Sequence, residues 1–216
     1  MKNIERLIQL SRGSLISALA ASLLIGCQSN SHQSCGKTMA ATTAPAVVAP
    51  APAVAAPVPA ASIPARPAIR IDVGATAPYT DSTGNIWLSD QGFADGDTAE
   101  RGSDMQIANT KDSGIYRTER YGMTSFSYKL PNGKYTVKLH FAETYEEITG
   151  PGQRVFTFNV AGHEFKDFDV FAKAGGAKTA YVETVNVDIT DGKLDITFTT
   201  NVQSPEINGI EIIPVL

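Results

Sequence analysis

Cysteine is scarce in this 216-residue chain: Cys27 and Cys35 are the only two, both near the N-terminus. Whatever folds beyond them does so without a disulfide framework or a cysteine metal site. Histidine is almost as rare, with three residues, His32, His140 and His163. No G-x-S-x-G elbow, H-E-x-x-H pair or phosphate-cradling glycine loop occurs, so the usual signatures of serine hydrolases, zinc proteases and nucleotide-binding enzymes are missing, and neither a cofactor nor a metal is expected. Basic clusters are absent too. With a formal net charge of -4 and no Lys/Arg stripe, the chain has nothing to neutralise a phosphate backbone, which argues against nucleic acid as a partner. Helical periodicity of the 3.6-residue kind is not convincing anywhere in the presumed folded part.

What is present falls into three parts. Residues 1–26 begin with Lys2, Arg6 and Arg12 and continue into the apolar small-residue run Ser14 to Gly26. That run is too short to span a bilayer comfortably and has the make-up of an export signal. It ends in Leu24-Ile25-Gly26-Cys27, which resembles the lipobox of bacterial lipoproteins. The resemblance implies cleavage before Cys27, lipidation of its thiol and anchoring to the cell envelope; an ordinary signal peptide or an uncleaved anchor is the alternative. Gln28 stands where an inner-membrane retention signal usually carries Asp, so the expected location is the outer membrane. Residues 27–68 form an Ala/Pro-rich tether holding seven of the twelve prolines. Proline removes backbone donors and fixes φ, so the tether is expected to be extended and disordered, its Ala/Pro tract of roughly 29 residues reaching at most ~90 Å at ~3.1 Å per residue.

Residues 69–216 have the length of one domain. Their pattern alternates. Tyr135, Val137, Leu139 and Phe141 share one face of a strand, as do Val185, Val187 and Ile189 of a second and Leu194, Ile196 and Phe198 of a third. Pro131-Asn132-Gly133, Ala161-Gly162-His163 and Asp191-Gly192 supply turns. Short strands broken at this rate predict an all-β fold, an antiparallel β-sandwich of jelly-roll type.

The chemistry available is that of binding. Glu143, Glu146 and Glu147 cluster at the end of the "KYTVKLHFAE" strand, but neighbours on one loop do not naturally straddle a glycosidic bond, as a hydrolase requires. A tyrosine can cover the apolar face of a sugar ring and hydrogen-bond its hydroxyls, and strand ends are where such residues belong. Tyr145 and Tyr121 meet that description. If Tyr116 to Tyr121 is regular strand, Tyr116 packs inward and Tyr121 shares a face with Glu119. Tyr116 then belongs to the framework, and Arg117, Glu119 and Arg120 orient loops through ion pairs. Trp87, the single tryptophan, is expected in the core.

"YRTERYG", "SFSYKLPNGKYTVKLHFAETY", "GQRVFTFNVAG", "KDFDVFAKAGG" and "SPEINGIEI", in that order, resemble the malectin domain and the malectin-like carbohydrate-binding modules. The resemblance implies a β-sandwich that binds oligosaccharides without catalysis, and it carries two sugar-contacting tyrosines of the animal proteins onto Tyr121 and Tyr145. It also marks departures. Glu146 stands where those proteins have Phe, Gln203 where they have Asp, and the early loop around Asp104 has no aromatic. The candidate carbohydrate-binding residues are therefore Tyr121, Tyr145, Glu146, Glu147, Gln203 and Asp104. Two other readings stand beside this one: an envelope module that has lost the sugar site and binds a protein partner, and a glycoside hydrolase.

Overall fold

The computed structural model describes residues 66–215. The expected export signal, the expected lipidation site at Cys27 and the expected tether up to residue 65 lie outside the described residues. Thirteen strands follow in chain order: β1 (Ile69–Asp72), β2 (Tyr79–Thr80), β3 (Ile86–Trp87), β4 (Asp97–Glu100), β5 (Thr118–Tyr121), β6 (Ser125–Lys129), β7 (Gly133–Phe141), β8 (Phe156–Val160), β9 (His163–Phe168), β10 (Tyr181–Ile189), β11 (Lys193–Thr200), β12 (Glu206–Ile207) and β13 (Gly209–Pro214). Two four-stranded antiparallel sheets, β1-β13-β7-β10 and β6-β11-β8-β9, form the body, with a three-stranded β12-β5-β4 sheet and a β2-β3 ribbon beside them.

The alternation seen in the sequence is what joins the two larger sheets. The inward residues of β7, β10 and β13 and those of β8 and β11 meet in one buried cluster. Phe141 of the first sheet lies 6.2 Å from Phe156 and 5.8 Å from Phe158 of the second, ring centre to ring centre. Each such side chain, fully removed from water, contributes about 1.5–3 kcal/mol before the entropy of ordering it is counted. The molecule is thus an all-β sandwich, as its periodicity predicts.

The outer face of β7 is not simply solvated. His140 is buried among Trp87 and Tyr116, its Nδ1 2.9 Å from the Tyr116 hydroxyl and its Nε2 3.1 Å from Glu211. Trp87 and Tyr116, with Ile107, Ile115 and Ala142, make a second, smaller core. Tyr116 and Trp87 are framework residues, as expected. Tyr116, however, lies in a 3-10 turn (Ser113–Tyr116), because the strand begins only at Thr118. A short helix, α1 (Val170–Ala174), was not visible in the periodicity: five residues are too few to show one, and it is held by an Asp169 cap at one end and by left-handed Gly175 at the other.

Two contacts set β5 in place. Asn208, fully buried, donates to the Thr118 carbonyl (2.8 Å) and accepts from Ala142 N (2.6 Å), tying β5 to the end of β7. Gly74 lets the β1 turn pass directly over the strand: a Cβ there would sit 2.5 Å from the Glu119 carbonyl oxygen, at a φ of +85°.

Candidate functional site

Where β5 ends beside the loop that follows β7, the surface opens into a cleft of about 250 Å³ lined by Ala99, Arg101, Glu119, Tyr121, Tyr145, Arg154, Gln203 and Ser204. Strand parity explains its floor. Ala99 pairs with Glu119 across β4–β5, and Glu206 pairs with Tyr121 across β12–β5. Directly opposed residues, and residues two apart, present their side chains to one face, so Ala99, Glu119, Tyr121 and Glu206 share it. Tyr121 at the strand end and Tyr145 on the loop are 36% and 37% exposed, while Glu119 is 4% exposed.

Beneath the tyrosines lies a buried ionic layer. Arg101 pairs with Glu119 at 2.7 Å, and Thr144 Oγ1 donates to the other oxygen of Glu119 at 2.6 Å while accepting from Arg101. Arg154 pairs with Glu143 at 2.7 Å and donates to the Ser204 carbonyl at 2.6 Å. The Tyr145 backbone N–H donates to Glu143, and the Arg154 guanidinium stands 6.0 Å from the centre of the Tyr145 ring. Each arginine is neutralised by one carboxylate and fixed by a second partner, so the floor is rigid and carries no unpaired cation. Glu206 is the exception: completely buried, with neither carboxyl oxygen bonded within the protein. Burial pushes its carboxyl well above the ordinary range, and the neighbouring Glu143 and Glu119 carboxylates push it further in the same direction. Glu143 is also raised by burial, against the opposing pull of Arg154.

Of the residues singled out from the sequence, Tyr121, Tyr145 and Gln203 come together in this cleft. Gln203 turns its Oε1 to the Ser204 N–H at 2.8 Å, leaving its amide NH₂ as a donor. Glu147 is exposed and does not line the cleft; its carboxylate, near the Tyr145 hydroxyl, raises the phenol pKa. Glu146 is exposed, 3.9 Å from Lys178, and faces a neighbouring cavity. Asp104 is exposed in the early loop and does not line the cleft. Arg120 makes an ion pair, with Asp90, whereas Arg117 makes none among the described residues and instead donates to the Met105 carbonyl. Glu119 is ion-paired too, and its pair with Arg101 lies in the floor of the cleft. Arg101, Glu206 and the partnership of Arg154 were not read from the sequence. Parity alone placed Glu119 beside Tyr121; no local signal marks the others.

A β-sandwich with an aromatic-walled cleft at one loop edge defines the class of binding modules to which this geometry belongs. Residues 68–211 match the family model described as the malectin domain, and the chain belongs to that family. It is 39% identical over 93 residues to malectin-B of Xenopus laevis, covering 41% of this chain and 33% of that protein. It is 35% identical over 143 residues to a probable leucine-rich repeat receptor-like serine/threonine-protein kinase of Arabidopsis thaliana, covering 58% of this chain and 14% of the kinase. The chain thus spans about a third or less of these relatives. Among solved structures it shares its fold with a Bacteroides uniformis beta-glucuronidase, with a TM-score of 0.62 and 20% identity over 69% of this chain and 18% of the enzyme. The ANXUR2 extracellular domain of Arabidopsis thaliana has a TM-score of 0.60 at 17% identity, covering 68% of this chain and 48% of the other.

Proposed function

We propose that the cleft between Tyr121 and Tyr145 binds an oligosaccharide and carries out no chemistry on it. The observation that carries this reading is the pairing of two half-exposed tyrosines, from different elements, over a floor whose charges are already satisfied. Sugar rings offer C–H faces to such phenols, and the Gln203 amide and the tyrosine hydroxyls supply partners for sugar hydroxyls. Membership of the malectin domain family supports the same ligand class. Hydrolysis is disfavoured by the carboxylates: Glu143 is spent on Arg154, and Glu146 and Glu147 are exposed rather than opposed across a gap.

A glycan array probed with the full chain tests this. Binding that is lost in Tyr145→Ala, with an unchanged circular dichroism spectrum, is expected. Failure to bind any glycan, together with capture of a defined envelope protein, would replace this reading with that of an interaction module. Turnover of a polysaccharide, lost in Glu146→Gln, would replace it with a hydrolase.

The proposal includes export and lipid anchoring at Cys27, supported by the basic start, the apolar run and Leu24-Ile25-Gly26-Cys27. A Cys27→Ser variant is expected to leave the membrane fraction. Its retention there would count against the anchor.

A further inference from the structure

Tyr145 lines a second cavity as well, of about 410 Å³, whose walls include Ile148, Phe171 and Lys178. Phe171 belongs to neither buried core and is half-buried. Its position is nonetheless held closely. Asp169 caps α1 through Ala172 N at 3.0 Å and accepts from Gly152 N at 2.5 Å, while Gly175 N and Gly176 N both donate to the Phe171 carbonyl at 3.0 Å. Lys178 is fixed in another way. It is a non-glycine residue at a φ of +52°, pinned from both sides: its N–H donates to the Glu143 carbonyl and its carbonyl accepts from Ala108 N, each at 2.8 Å. These two bonds hold the backbone in its left-handed conformation and so fix where Lys178 stands at the cavity.

We propose that this cavity is a second sugar subsite, and that the ligand is a neutral oligosaccharide whose chain crosses Tyr145 from one cavity to the other. This rests on the sugar-binding reading of the first cleft. Phe171, which lines this cavity together with Tyr145, provides an apolar platform there, a role that Glu146 cannot fill, and the Lys178–Glu146 pair supplies a donor and an acceptor for hydroxyls. The neutral class follows from the charges. Arg101 and Arg154 are each paired with a carboxylate at 2.7 Å, and Lys178, the remaining cation lining the two cavities, has Glu146 3.9 Å away, so neither cavity carries a net positive charge to attract a uronate or sulfate.

The test is isothermal titration of the full chain with a neutral oligosaccharide series chosen from the array hit, from monosaccharide to hexasaccharide. Affinity is expected to rise about tenfold once the chain is long enough to reach both cavities. Phe171→Ala is expected to abolish that rise while leaving monosaccharide affinity unchanged. Lys178→Gly, which suits the left-handed backbone and so preserves the fold, is expected to reduce the rise. Tyr121→Ala is expected to weaken binding at every length. A length dependence unchanged in both Phe171→Ala and Lys178→Gly overturns the second subsite but leaves the first cleft standing. Tighter binding of uronate-bearing chains overturns the neutral class. Absence of glycan binding by the wild-type chain overturns both readings together.

Discussion

Glu206 and Tyr121 stand opposite one another across the β12–β5 ladder, on the same face, yet Tyr121 reaches solvent and the Glu206 carboxyl does not. The tyrosine that borders the cleft is therefore paired with a carboxyl whose pKa burial and two neighbouring carboxylates raise well above its ordinary value. In the unfolded chain this carboxyl ionises near its ordinary 4.5. The folded state thus holds a proton that the unfolded state releases, and stability falls as pH rises from that value through the raised folded pKa, by at most about 1.4 kcal/mol per pH unit. Glu206→Gln cannot ionise, and the fall in urea midpoint as pH rises above about 4.5 should flatten in this variant. An unchanged slope would show that Glu206 is ionised in the fold.

Asp72 makes the same kind of demand in a window that can be stated. It is buried in β1, and burial raises its pKa from 3.8 to about 7, against a 2.7 Å hydrogen bond from Thr118 and with help from Asp90. Its contribution to stability is greatest below about pH 4 and is lost up to about pH 7, by at most about 4 kcal/mol in all. Asp72→Asn keeps an acceptor for Thr118, so its melting temperature should exceed that of the wild type at neutral pH and match it near pH 4. A lower melting temperature at pH 7 would contradict the raised pKa.

The ionic floor and the aromatic wall should separate in mutagenesis. Arg154→Ala leaves Glu143 buried without its partner, a change that costs about 3–5 kcal/mol. Tyr145→Ala removes a side chain that is 37% exposed and should change stability by less than about 1 kcal/mol. Chemical denaturation of the two variants checks this, and equal losses would place Tyr145 in the scaffold.

Gly74→Ala tests how closely the β1 turn must approach the strand under the cleft. The added Cβ meets backbone at 2.5 Å and adopts a left-handed φ. A destabilisation of at least about 1–3 kcal/mol is expected in thermal melts, because neither the Glu119 carbonyl nor the φ has a flexible way to yield. A neutral outcome would mean that β5 shifts at little cost, and the cleft with it.

The sandwich was legible in the sequence because its cause is local. A strand shows its buried face every second residue, so Tyr135 to Phe141, Val185 to Ile189 and Leu194 to Phe198 revealed the core before any partner strand was known. The positions of Tyr121 and Tyr145 at strand ends were legible for the same reason. What tertiary structure alone decided is the state of the charges. Glu119, Glu143 and Glu206 are written with the same letter as Glu146 and Glu147, yet the first three are sealed under the cleft and the last two are in water. Burial and charge pairing depend on residues far apart in the chain, such as Arg101 beside Thr144 or Arg154 beside Ser204, and no local period encodes them. The helix that presents Phe171 escaped notice likewise, since it depends on its cap and glycine stop rather than on a repeating face.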